Sequence, residues 1–75
     1  MTRVEYYILH SAYPPNSSII IDRATGGIPA GSTGRVVSIN RDLDLILVKF
    51  DNGDLMSLIY GEDYFHRNIE AYYRY

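Results

Sequence analysis

The chain has no cysteine, so no disulfide can staple it and no thiolate can hold a metal. That absence fits a reducing, cytoplasmic setting. No apolar stretch approaches the ~20 residues that a membrane span needs. The N-terminus lacks a basic segment followed by an apolar core, so no signal peptide is expected. Internal repeats and low-complexity tracts are missing too. Basic charge is scarce in the middle of the chain. Asp42, Asp44, Asp51, Asp54, Glu62 and Asp63 face Lys49 alone, while the arginines Arg3, Arg23, Arg35, Arg41, Arg67 and Arg74 lie elsewhere. An acidic middle repels phosphate, the dominant attraction in nucleic-acid binding. Ordinary solvated turns also carry such charge.

What is present suits one small domain. The 75 residues are 47% hydrophobic and carry a net charge of −2, which does not suggest disorder. A core of this size supplies only roughly 3–5 kcal/mol, so a partner or an added staple is plausible.

The most informative segment is Phe50-Asp51-Asn52-Gly53-Asp54, a turn inside an otherwise apolar run from Leu43 to Ile59. Asn-Gly between hydrophobic segments is a strong hairpin signal. A two-residue Asn52-Gly53 loop would pair Phe50 with Leu55 and Val48 with Ser57. A type I turn with Gly53 as a left-handed bulge would pair Phe50 with Asp54, Val48 with Met56 and Ile46 with Leu58. The second geometry gathers Ile46, Val48, Phe50, Met56 and Leu58 on one face, which is the better use of scarce core. It leaves Leu45, Leu47, Lys49, Leu55, Ser57 and Ile59 on the other face. An outer face should be mostly polar. Either the N-terminal helix or the C-terminal tail covers this one, or it is a partner or self-association surface.

Elsewhere the pattern is simpler. Thr2-Arg3-Val4-Glu5 has capping-box spacing, and Val4, Tyr7, Ile8 and Ser11 follow at helical intervals. A strand over residues 3–9 is the alternative, since Val4, Tyr6 and Ile8 alternate. Tyr13-Pro14-Pro15 ends the segment. Ser18 to Asp22 reads as a strand. The loop from Thr25 to Gly34 has four glycines and a proline. It leads into a strand at Arg35–Ile39 and lacks Lys-Ser/Thr, so it is no phosphate loop; a glycine-kinked entry into a curved sheet fits better. Asn40 to Asp44 is a polar turn. Tyr64 to Ile69 forms a last strand or a helical turn. The expected architecture is mainly β: a small SH3-like β-barrel of about five strands, with a short N-terminal helix or arm over 1–12, the barrel over 13–69 and a Tyr-rich tail over 70–75.

Candidate chemistry is thin. His10 and His66 are far apart in sequence and have no Cys partners, so no metal or other cofactor is expected. No nucleophile-elbow motif frames a serine. Asp42/Asp44 and Glu62/Asp63 fall in turns, where Asp favours backbone hydrogen bonds. A barrel this small offers little depth for a water-excluding pocket, and no catalysis is expected. Tyr60 and Tyr64 sit near one end of the hairpin, either packed or making contact with a partner; Phe65 suits the core. Arg35, Arg41 and Lys49 are candidates for a small basic stripe, though acidic neighbours flank it.

The ordered pieces Tyr13-Pro14-Pro15, Ile19-Ile20-Ile21, Ile28-Pro29-Ala30-Gly31-Ser32-Thr33-Gly34-Arg35-Val36, Ile46-Leu47-Val48-Lys49-Phe50-Asp51-Asn52-Gly53 and Leu58-Ile59-Tyr60-Gly61-Glu62-Asp63-Tyr64-Phe65 carry a resemblance. Over roughly residues 13–65 the chain resembles a small bacterial domain family of unknown function, with SH3-like barrels of the KOW type, common on plasmids, phages and integrative elements. The family tends to have Gly at Asp44, Trp at Phe50 and Pro at Tyr60, and polar residues at Leu45, Leu47 and Leu55. The resemblance implies no catalytic residues. Its mobile-element setting implies a non-catalytic protein-binding module, with a host or defence protein as the inhibited partner, an anti-CRISPR-type role. The expected contact residues are Leu45, Leu47, Leu55, Ile59, Tyr60 and Tyr64. The rivals are a nucleic-acid-associated module using Arg35, Arg41 and Lys49, and an obligate homodimer.

Overall fold

The structure, a computed structural model, describes residues 1–68. Ile69 and the Tyr-rich segment 70–75 lie outside the described residues. Helix α1 spans Arg3–Ala12, and strands β1 to β5 span Ser18–Ile21, Thr33–Asn40, Leu45–Phe50, Leu55–Ile59 and Phe65–Arg67. All pairings are antiparallel, and the sheet order is β4-β3-β2-β1-β5. The fold is mainly β with five strands and one short N-terminal helix, as expected. The sheet is not closed into a barrel: β4 and β5 are its two edges.

The hairpin adopts the bulged geometry. The Phe50 N–H donates to the Asp54 carbonyl at 2.8 Å, and the Gly53 N–H to the Phe50 carbonyl at 2.9 Å. Gly53 has φ +97°, a conformation that costs glycine nothing. Asn52 braces the turn by accepting the Asp54 N–H at 2.9 Å. Val48 pairs with Met56 and Ile46 with Leu58. Ile46, Val48, Phe50 and Leu58 are buried accordingly, with Ile19, Ile21, Ile28, Val36 and Leu9. Met56 is half-buried and lies against Gly26 of the β1–β2 loop.

Strand β2 carries a bulge. Val36 pairs with Val48, but the next pair is Ser38 with Leu47, which leaves Val37 without a partner. The extra residue lets both Val36 and Ile39 face the core, three positions apart. At the start of β2, Gly34 approaches β3 closely. A Cβ there would stand 2.8 Å from the Lys49 carbonyl oxygen and 2.8 Å from Val48 Cγ1.

Helix α1 begins with the capping box: the Glu5 N–H donates to Thr2 Oγ1 at 3.1 Å, and the Thr2 N–H to Glu5 Oε1 at 3.1 Å. Leu9 is its buried residue, and Met1, Tyr13 and Tyr60 pack against the same core cluster. Leu9 therefore seats the helix on the core side of the sheet. Its Val4, Tyr7 and Ile8 face solvent. The Tyr13 ring meets Phe65 edge-on at 5.3 Å, which brings β5 to the same core.

Replacing Gly34 with alanine is expected to cost about 1–3 kcal/mol, because the crowding atoms include backbone that cannot move aside. At about 4–8 °C per kcal/mol for a domain of this size, a thermal melt reads the loss directly.

Candidate protein-binding face

The β-pairing register arranges the convex face in three rows across β2, β3 and β4: Arg35, Lys49 and Leu55; Ser38, Leu47 and Ser57; Asn40, Leu45 and Ile59. The four expected aliphatics are thus neighbours on one surface. Leu55 is 61% exposed and Ile59 40%, while Leu45 and Leu47 are half-buried. Val37, thrown outward by the bulge, adds a fifth aliphatic at 45%. No local sequence signal marks that bulge. The helix does not cover this face, because Leu9 draws it to the opposite side of the sheet. The tail that was the other expected cover lies outside the described residues.

The two tyrosines go elsewhere. Tyr60 follows Ile59 and points to the core side, where its hydroxyl donates to Glu5 Oε2 at 3.2 Å. It joins the helix to the sheet and does not stand among the leucines. Tyr64 is exposed beside the end of β1. Its carbonyl accepts the Asp22 N–H at 2.9 Å, and the Arg23 guanidinium lies 4.7 Å from its ring centre.

The basic candidates divide in two. Arg35 and Lys49 are cross-strand neighbours, and Arg35 also donates to the Asn16 carbonyl at 2.9 Å. Arg41 lies in the turn beyond Asn40, and Asn40 itself is roughly 14 Å along the strands from that pair at about 3.4 Å per residue. They form no continuous stripe. Among the described residues, no group of three or more His, Cys, Asp or Glu is placed to hold a metal ion. His66 Nδ1 meets Asp22 Oδ1 at 2.5 Å on the surface. An open groove of about 360 Å³ runs between the β1–β2 loop and the hairpin turn, with Ile28, Pro29 and Phe50 in its wall. There the Thr33 hydroxyl is already paired with the Asp51 carboxylate.

Sequence reasoning passed over a second apolar surface. Val4, Tyr7 and Ile8 are 67%, 65% and 65% exposed. Their helical spacing was visible, but it does not say which side of the helix the sheet takes. Among the described residues, no helix is long and apolar enough to cross a membrane.

Electrostatics tie the helix to the sheet. The Glu5 carboxyl is held below its ordinary 4.5, first by the Thr2 backbone N–H, then by the Thr2 and Tyr60 hydroxyls. The Tyr60 hydroxyl is pushed above 10, first by its bond to Glu5. Burial pushes Tyr13 up in the same direction. No protein-family model, no curated protein and no solved structure matches this chain.

A depressed carboxylate stabilises the fold above its unfolded pKa and loses that contribution as pH falls through the folded one. Acid titration from pH 6 is therefore expected to loosen α1 as pH drops below about 4.5. Helical circular dichroism should report it, and the midpoint should move up in Tyr60→Phe. An unchanged midpoint would show that the Tyr60 bond adds nothing to the cap.

Proposed function

We propose that this chain is a non-catalytic protein-binding module whose contact surface is the convex face of the β3–β4 hairpin. The observation that carries the reading is the cluster of exposed aliphatics there, Leu55, Ile59 and Val37, beside Leu45 and Leu47. Contiguous exposed apolar surface of this kind marks interaction sites in soluble domains. Core is scarce in a chain of this length, so four large aliphatics spent on an outer face call for an occupant. The resemblance to a mobile-element family would make that occupant a host or defence protein that the module inhibits in the cytoplasm. The nucleic-acid rival has only Arg35 and Lys49 together on this face, with Asp51 and Asp54 next along the chain.

A photoreactive residue placed at Leu55 or Ile59 in the natural host is expected to crosslink a protein, whereas one at Arg23 should not. Leu55→Asp is expected to weaken that partner at least about tenfold, or about 1.4 kcal/mol. Its melt should stay within about 0.5 kcal/mol of wild type, as exposed substitutions do. Failure to crosslink protein, with retention of DNA or RNA at low salt, would transfer the assignment to the nucleic-acid reading.

A further inference from the structure

The free edge of β4 sharpens the proposed binding reading, and the inference rests on it. Among the described residues, β4 has β3 on one side and no strand on the other. The Phe50 N–H bonds the Asp54 carbonyl, and the Tyr60 N–H bonds the Asp44 carbonyl at 2.8 Å. Pairs alternate in an antiparallel ladder, so Met56 and Leu58 also bond to β3. Leu55, Ser57 and Ile59 must then aim N–H and C=O away from it. Ile59 is already served: its N–H donates to Asp63 Oδ2 at 2.7 Å, and its carbonyl accepts the Glu62 and Asp63 N–H groups at 3.1 and 3.0 Å. Among the described residues, Leu55 and Ser57 remain as two donors and two acceptors on an open edge.

Such edges are usually blunted by charge, proline or a bulge. Strand β4, Leu-Met-Ser-Leu-Ile, has none of these. The other edge, β5, is three residues long and includes His66 and Arg67. The ends of β4 are distinctive as well. Asp51 and Asp54 precede it, Glu62 and Asp63 follow it, and no Lys or Arg occurs between Phe50 and His66. A second copy pairing antiparallel through β4 would set Asp54 of one chain near Glu62 of the other at both ends. Like charges so placed oppose self-pairing.

We infer that β4 takes up an extended apolar segment of a partner protein as an added strand, flanked by basic residues about six positions apart. The ladder bonds of Leu55 and Ser57 supply the backbone recognition, and alternate side chains of the segment meet Leu55 and Ile59 on the convex face. The carboxylates at the two ends select the cationic flanks.

The test uses fluorescein-labelled Lys-Val-Thr-Val-Thr-Val-Lys, its Glu-flanked counterpart, and a version with proline at the centre. Anisotropy titrations with the full chain should show the Lys-flanked peptide binding about tenfold or more tightly than either control, and weakening with salt. The double variant Asp54→Lys, Glu62→Lys should reverse the preference between Lys and Glu flanks. Ser57→Pro removes an edge donor without touching the β3 ladder and should lose the peptide while keeping a cooperative melt. Should that variant unfold, N-methylation of the central residue of the peptide makes the same cut from the other side. Equal binding of the Lys- and Glu-flanked peptides, or none of either, overturns the inference. So does a concentration-dependent dimer in sedimentation that Ser57→Pro abolishes, since the occupant is then a second copy. A host protein that crosslinks at Leu55 while the peptides fail leaves the binding reading standing and removes strand addition alone.

Discussion

The bond from the Phe50 N–H to the Asp54 carbonyl, closed by Gly53 at φ +97°, is the constraint on which the rest depends. Side chains alternate along a strand, so a slip of one residue would turn every side chain of β4 to the other face. The observed register sends Met56 and Leu58 inward to Val48 and Ile46. It also sets the outward face and, through the parity of the ladder, decides which backbone groups of β4 remain open. One turn thus determines the core, the convex patch and the free edge together. Gly34 adds the second fixed point: β2 can approach β3 so closely there only because no side chain intervenes.

The core that results is small, and among the described residues its nine buried apolar side chains come from α1, the β1–β2 loop and four strands. Helix α1 acts as a lid rather than a scaffold. It contributes one buried side chain, Leu9, and is held at its start by the reciprocal Thr2–Glu5 bonds and by Tyr60. Isolated helices of ten residues are marginal in water, so the cap and the Leu9 contact must decide whether this one forms. Because the helix takes the core side, Val37, Leu55 and Ile59 on the other face stay exposed among the described residues.

Much of this was legible in the sequence, for identifiable reasons. The Asn52-Gly53 turn and the Thr2/Glu5 box are local signals, and both formed as local rules require. Asp44 occupies a left-handed position at φ +55°, which a short acidic side chain tolerates. The orientation of α1 was not legible, because Val4, Tyr6, Tyr7, Ile8 and Leu9 place apolar residues around most of the helix. The non-local contacts of Leu9 with the core and of Glu5 with Tyr60 break that tie. The Val37 bulge was equally hidden, since β-branched residues on both sides of it read as an unbroken strand. Tyr60, open between packing and partner contact in the sequence, packs for a simple reason: Leu58 points inward, so alternation takes Tyr60 inward too.

An uncharged edge strand between acidic turns meets two opposing demands. Exposed Leu55 and open ladder groups invite pairing with any extended chain, including a neighbouring copy. The carboxylates of Asp51, Asp54, Glu62 and Asp63 leave β4 itself apolar and repel a second molecule that is equally acidic there. Charge placed at the ends, instead of within the strand, discriminates between occupants without blocking the edge. Lys or Glu within β4 would have protected it against everything. The arrangement found here brings like charges together only when a second copy pairs through β4.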